Sequence, residues 1–185
     1  MSAVATTATT AASGGRAWVF GDDLNTDLLA PGRYMKFGVD EIAQHCLESI
    51  SPTFASTVRP GDIVVAGRNF GAGSSREQAV EVLRLLGVAC VVAVSYSGLY
   101  YRNGFNLGLP LLVCADAPSV GDGASLVLDL DAAQLRDAAT GRTLQCEAVP
   151  AHLIAMVRDG GLVPHLQQRL ARGDIAAQRT KATTP

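Results

Sequence analysis

The chain is poor in the residues that build metal clusters and disulfide frameworks. Its four cysteines, Cys46, Cys90, Cys114 and Cys146, stand far apart with no Cys-x-x-Cys pair, and two fall within apolar runs. They read as reduced core thiols, and no metal site is expected on this chain, because zinc and iron–sulfur sites draw on clustered ligands. An excess of charge of one sign is also missing. Lys and Arg number 15 against 17 Asp and Glu, a formal net charge of −2. Without a basic stripe, no nucleic-acid partner is expected. No segment approaches the roughly 20 apolar residues that cross a bilayer, so no membrane span is expected either. Residues 1–15 hold no Lys or Arg and no apolar core of signal-peptide length. They read as a disordered tail, and the protein is expected in the cytoplasm.

Three common site motifs fail at required residues. The Gly-rich stretch Gly67-Arg-Asn-Phe-Gly-Ala-Gly-Ser-Ser-Arg-Glu77 has no lysine for a P-loop. Ser74 is followed by Ser75 and Arg76, which rules out a Gly-x-Ser-x-Gly nucleophile elbow. Arg76 also stands where a dinucleotide fingerprint needs its third glycine. What is present is an apolar run at 62–66, breaks at Gly67, Gly71 and Gly73, and a helical apolar pattern over 75–86. Free backbone N–H groups, a helix dipole, the hydroxyls of Ser74 and Ser75 and the cation of Arg76 together suit a negatively charged ligand. The same residues satisfy two capping boxes, Ser74-x-x-Glu77 and Ser75-x-x-Gln78. On spacing alone, anion site and helix cap both stay open.

The 185 residues fit one domain that can bury a core without disulfides or metal. Runs at 16–20, 88–94 and 110–114 read as strands. The segment 62–94 reads as a parallel β-α-β crossover with its Gly-rich turn at the carboxyl end of the first strand, where open α/β sheets bind ligands. Alternation over 125–130, and two short strand candidates on either side of Thr140 and Gly141, add an antiparallel part. The fold class is therefore α/β. Asp40 is expected to cap a helix over 41–47, further helices are expected at 150–158 and 164–171, and 95–108 reads as one or two irregular helical turns. The acidic loop 21–27 reads as Asx-turns, and the loop 28–37 offers Arg33, Tyr34, Lys36 and Phe37 for ligand contact. His45, His152 and His165 read as solvated or structural, and no Ser-His-Asp arrangement is suggested.

Three stretches carry a resemblance: Gly21-Asp-Asp-Leu-Asn-Thr-Asp-Leu-Leu-Ala-Pro-Gly-Arg-Tyr34, the Gly-rich turn with Gly-Ser-Ser-Arg-Glu, and Tyr101-Arg-Asn-Gly-Phe-Asn-Leu-Gly-Leu-Pro110. In this order, over about 17–166, the chain resembles the small subunits of the 3-isopropylmalate dehydratase (isopropylmalate isomerase) family, the swivelling domain of the aconitase superfamily. The resemblance implies a swivelling β/β/α sandwich with a partly parallel mixed sheet over 16–172, flanked by tails at 1–15 and 173–185. It implies a large-subunit partner that binds a [4Fe–4S] cluster, and a hydro-lyase that removes water from a small hydroxy-dicarboxylate and adds it back. The iron is expected to act as Lewis acid on the leaving hydroxyl. Carried over by position, Ser74 is the catalytic base, Asp27 a supporting acid, Ser75 a substrate contact and Arg76 the carboxylate clamp. Arg33 and Lys36 fall in the substrate loop, and Arg102 and Asn103 are secondary candidates.

The sequence also departs from the family pattern. Lys36 stands where isopropylmalate enzymes tend to carry a small apolar residue, and Gly38 lies near the position of an additional aconitase arginine. Ser95-Tyr-Ser-Gly-Leu-Tyr100 replaces the usual Ser-Phe-Ala-Arg-Ile-Phe. Isopropylmalate is the leading substrate, leucine biosynthesis following from it. Citramalate, dimethylmalate and homoaconitate-type acids stay open, as does a non-catalytic regulatory subunit of the same fold.

Overall fold

The computed structural model describes residues 13–173. Strand β1 (Ser13–Val19) joins the two halves of the sheet, because its ends pair with different neighbours. Ser13, Gly14, Gly15 and Arg16 run antiparallel to β5 (Ser125–Asp129), whereas Ala17, Trp18 and Val19 run parallel to β2 (Ile63–Ala66). Residues 13–15, expected in the tail, are thus strand: Gly14 and Gly15 take part in the ladder through their backbone alone. A side chain at Gly15 could not be accommodated, since its Cβ would lie 2.0 Å from the carbonyl oxygen of Gly61. The remaining tail positions, 1–12 and 174–185, lie outside the described residues.

Parallel strands β3 (Cys90–Ala93) and β4 (Leu111–Val113) extend one side, and antiparallel strands β6 (Gln134–Asp137) and β7 (Thr143–Gln145) extend the other, giving the order β4-β3-β2-β1-β5-β6-β7. Strand periodicity sorts the apolar residues into two cores. Ile63, Val65, Cys90, Val92 and Leu112 pack with Leu126, Leu135 and Leu144 of the antiparallel strands. Their neighbours Val64, Ala66, Val91, Ala93 and Leu111 pack against the helices. The result is the expected α/β architecture, with an antiparallel layer, a parallel layer and a helical layer.

The helices are α1 (Thr26–Leu29), α2 (Val39–Gln44), α3 (Phe54–Thr57), α4 (Gln78–Leu85), α5 (Gly98–Asn106), α6 (Ala151–Arg158) and α7 (Leu162–Ala171). Helix α4 crosses between parallel β2 and β3 and buries Ala79, Val80, Val82 and Leu83, as its apolar pattern requires. Two starts differ from expectation. Asp40 does not cap α2; extended Gly38 is the N-cap, and the Asp40 carboxylate sits in the first turn, where the helix dipole favours it. Segment 95–108 is not a set of irregular turns but carries the nine-residue α5, because burial of Tyr100 and Phe105 outweighs the low helix propensity of its glycines and asparagines.

Candidate functional site

Loops leaving the carboxyl ends of β1, β2 and β3 are stitched together at that end of the parallel strands. Gly67 N–H donates to Gly21 O at 3.0 Å, Asp23 N–H to Arg68 O at 2.8 Å, Gly71 N–H to Leu24 O at 2.8 Å and Thr26 N–H to Ala72 O at 2.9 Å. From the other side, Val94 N–H donates to Gly67 O, and Phe70 exchanges bonds with Ser95 and Ser97. In the acidic loop, the Asn25 side chain accepts from Asp27 N–H at 3.0 Å and Leu28 N–H at 2.9 Å. That is the expected Asx-type turn, and it also caps α1.

The glycines of the turn have steric reasons. Gly71 and Gly73 have φ of +73° and +109°, and a Cβ on Gly71 would come within 2.1 Å of the Tyr100 ring. Past them residues 74–76 belong to no helix or strand, and α4 starts only at Gln78, with Glu77 as N-cap and no side-chain cap bond. Neither of the two capping boxes that the spacing allowed forms. Ser74 N–H donates instead to the buried hydroxyl of Thr26 at 3.0 Å, and Ser75 O accepts from Asn103 Nδ2 at 3.0 Å. Among the described residues, the N–H groups of Ser75 and Arg76 meet no protein acceptor. Arg76 Nη1 reaches Ala30 O at 3.2 Å and Asp27 Oδ1 at 3.4 Å, and the same Asp27 oxygen accepts from Gly32 N–H at 2.9 Å. The guanidinium is tethered through one nitrogen, which leaves its Nε and Nη2 edge for a planar anion.

Arg33 is engaged elsewhere. Its guanidinium pairs with Glu48 and lies 4.9 Å from the Tyr34 ring centre. Tyr34 stacks on His45 at 3.6 Å, and His45 Nδ1 lies 2.6 Å from Glu48 Oε2. His45, read from sequence as solvated, is half-buried in this network because the ring has a flat aromatic partner on one side and a carboxylate at its edge. Burial opposes ionisation of Glu48, but hydrogen bonds from His45 and Arg33 outweigh it and hold the carboxyl below its ordinary value. Lys36 is exposed, with Nζ 5.0 Å from the Phe37 ring. Asn103 is buried at the site, and exposed Arg102 touches it, Nη2 to Oδ1, at 3.4 Å. His152 is exposed, and His165 pairs with Asp159 on the far helices at 2.6 Å.

Comparison with known proteins gives a consistent answer. A family model, the aconitase C-terminal domain, matches residues 43–116, which hold β2, the Gly-rich turn, α4, β3, α5 and β4. The methanogen homoaconitase small subunit of Methanothermobacter thermautotrophicus is 43% identical over 161 residues, covering 86% of this chain and 93% of that protein. The 3-isopropylmalate dehydratase small subunit 1 of Methanopyrus kandleri is 44% identical over 151 residues, covering 80% and 89%. Among solved structures, the crystal structure of 3-isopropylmalate dehydratase from Methanocaldococcus jannaschii superposes with a TM-score of 0.82 at 36% identity, covering 89% and 98%. The chain belongs to the 3-isopropylmalate dehydratase small-subunit family, in the aconitase superfamily. Its kind of chemistry is that of a hydro-lyase.

Family membership raises the question of an iron–sulfur cluster, and this chain's own residues do not suit one. Among the described residues, no group of three or more His, Cys, Asp or Glu could hold a metal ion. All four thiols are buried, and burial pushes Cys46 and Cys90 up strongly and Cys146 up to about 12. A ligating thiolate is disfavoured at each of these three. No helix among the described residues is long and apolar enough to cross a membrane. Sequence reading missed two contributors to the small-subunit site, Thr26 and Glu48. Nothing local marks Glu48, but Thr26 directly follows the Asn25 cap at the first position of α1, and its place in the Asn-Thr-Asp run was a usable signal.

Proposed function

We propose that the chain is the small subunit of a heteromeric cytoplasmic 3-isopropylmalate dehydratase, active only with a large subunit, which interconverts 2- and 3-isopropylmalate on the route to leucine. The observation that carries this reading is the conjunction, at the carboxyl end of the parallel strands, of Ser74, Ser75 and a guanidinium tethered by a single nitrogen. Arg76 fixes a substrate carboxylate in a bidentate pose. Ser74 Oγ takes the proton from the carbon beside it, and the alkoxide is stabilised by Arg76 and the N–H groups of Ser75 and Arg76, which meet no acceptor among the described residues. Asp27 anchors Arg76 and the Gly32 amide together. The large subunit supplies the [4Fe–4S] cluster and its Lewis acidity at the leaving hydroxyl. Proton and hydroxyl leave as water, which returns with their positions exchanged.

Exposed Lys36 favours a second reading, a homoaconitate-type substrate whose distal group is an anion, and a homoaconitase small subunit is among the similar proteins. Anaerobic co-purification with the candidate large subunit, followed by hydration and dehydration assays on isopropylmalate, citramalate, dimethylmalate and homoaconitate-type acids, separates them. Highest kcat/KM on isopropylmalate supports the first reading, and highest kcat/KM on a homoaconitate-type acid supports the second. A stable, cluster-replete complex inactive on all four overturns both and makes the chain a regulatory subunit.

A further inference from the structure

The Ser74–Ser75 segment connects the Gly-rich turn to α4 and belongs to no helix or strand ladder that would hold it. Two buried polar side chains on separate elements hold it instead. Thr26, at the start of α1, is 1% exposed, and its Oγ1 accepts the Ser74 N–H at 3.0 Å. Asn103, on α5, is 2% exposed, and its Nδ2 donates to Ser75 O at 3.0 Å. The two bonds grip the peptide before Ser74 and the peptide after Ser75. We propose that Thr26 and Asn103 are positioning residues that set the direction of the two serine side chains, a role that rests on the catalytic reading of Ser74 given above.

Peptide geometry gives the clamp a second consequence. A trans peptide points its N–H opposite to its C=O. With Ser75 O held by Asn103, the Arg76 N–H is turned away from α5, and it meets no protein acceptor among the described residues. Asn103 therefore also turns a main-chain donor away from α5 and leaves it available to a ligand. Space enforces the Thr26 contact from behind. A Cβ on Gly73 would lie 2.9 Å from Thr26 Oγ1, so only glycine lets the turn approach this hydroxyl.

The experiment uses the assembled complex of both subunits with Thr26→Val, Thr26→Ser, Asn103→Leu and Asn103→Asp in the small subunit, beside wild type and Ser74→Ala. Displacing a reacting group by an ångström costs about 100-fold in rate. Thr26→Val and both Asn103 variants are expected to lower kcat by about 10- to 100-fold with KM within about threefold, and Thr26→Ser, which keeps the hydroxyl, to stay within about threefold of wild type. A purely structural role predicts less folded complex but an unchanged kcat per cluster-replete site, and that result overturns the proposal. Amide hydrogen exchange on the full-length small subunit gives a readout independent of activity: Ser74 N–H is protected in wild type and Thr26→Ser and exposed in Thr26→Val. Equal exchange in all three also overturns it. An active wild type whose Ser74→Ala variant stays fully active defeats the catalytic reading and leaves the exchange result to judge the clamp.

Discussion

Arg76, ahead of α4, and Asp27, in α1, meet Nη1 to Oδ1 at 3.4 Å, and that carboxylate oxygen also holds the Gly32 amide at 2.9 Å. One carboxylate thus sets both the clamp and the start of the loop that carries Arg33 and Lys36. Arg76→Lys, which keeps charge but loses the planar fork, is expected to cut kcat/KM by about 100-fold. Asp27→Asn is expected to raise KM by about 10-fold with a smaller change in kcat, because the anchor weakens while the base remains. Steady-state kinetics on the assembled complex check both.

The serines do not cap α4, whereas Asn25 does cap α1. Ser74→Ala and Ser75→Ala are therefore expected to change stability by less than about 0.5 kcal/mol. Asn25→Ala is expected to cost about 1 kcal/mol. Thermal melts of the three variants distinguish a site whose serines are functional from one whose serines hold the helix.

Lys36 is an exposed cation on the loop that follows the Asp27 anchor. Lys36→Ala is expected to shift relative kcat/KM by up to about fivefold toward isopropylmalate and away from acids with an additional carboxylate, since one exposed charge contact is worth up to about 1 kcal/mol. An unchanged ratio removes Lys36 from substrate selection.

Glu48 gives the loop network a pH signature. Its folded pKa lies below the ordinary 4.5, so its contribution to stability is present above the unfolded value and is lost as pH falls through the folded one. Urea unfolding at about pH 7 and about pH 3.5 is expected to show a smaller acid destabilisation for Glu48→Gln than for wild type. Equal acid sensitivity contradicts the network.

Much of the fold was legible because strand, turn, helix and strand over 62–94 state their periods plainly. Apolar runs too short for a helix gave β2, β3 and β4, and spaced apolar residues gave α4. The start of α4 was misread because a capping box is a local pattern, whereas Ser74 and Ser75 are bonded to Thr26 and Asn103, 48 and 28 residues away. The length of α5 was missed for a related reason: Gly98, Asn103, Gly104 and Asn106 signal irregularity locally, and burial of Tyr100 and Phe105 decides otherwise. Residue types in the Gly-rich turn pointed to an anion site. Which amides stay free among the described residues, and that Arg76 is tethered by one nitrogen while Arg33 is occupied by Glu48, depends on contacts between segments that no spacing reveals.

The most direct test is the turnover of the two-subunit complex carrying Ser74→Ala, measured with cluster content matched to wild type. If Ser74 is the base, kcat falls by about 1,000-fold while KM stays within about threefold, since the clamp at Arg76 is untouched. Wild-type turnover in that variant, or turnover by either subunit alone, contradicts the account.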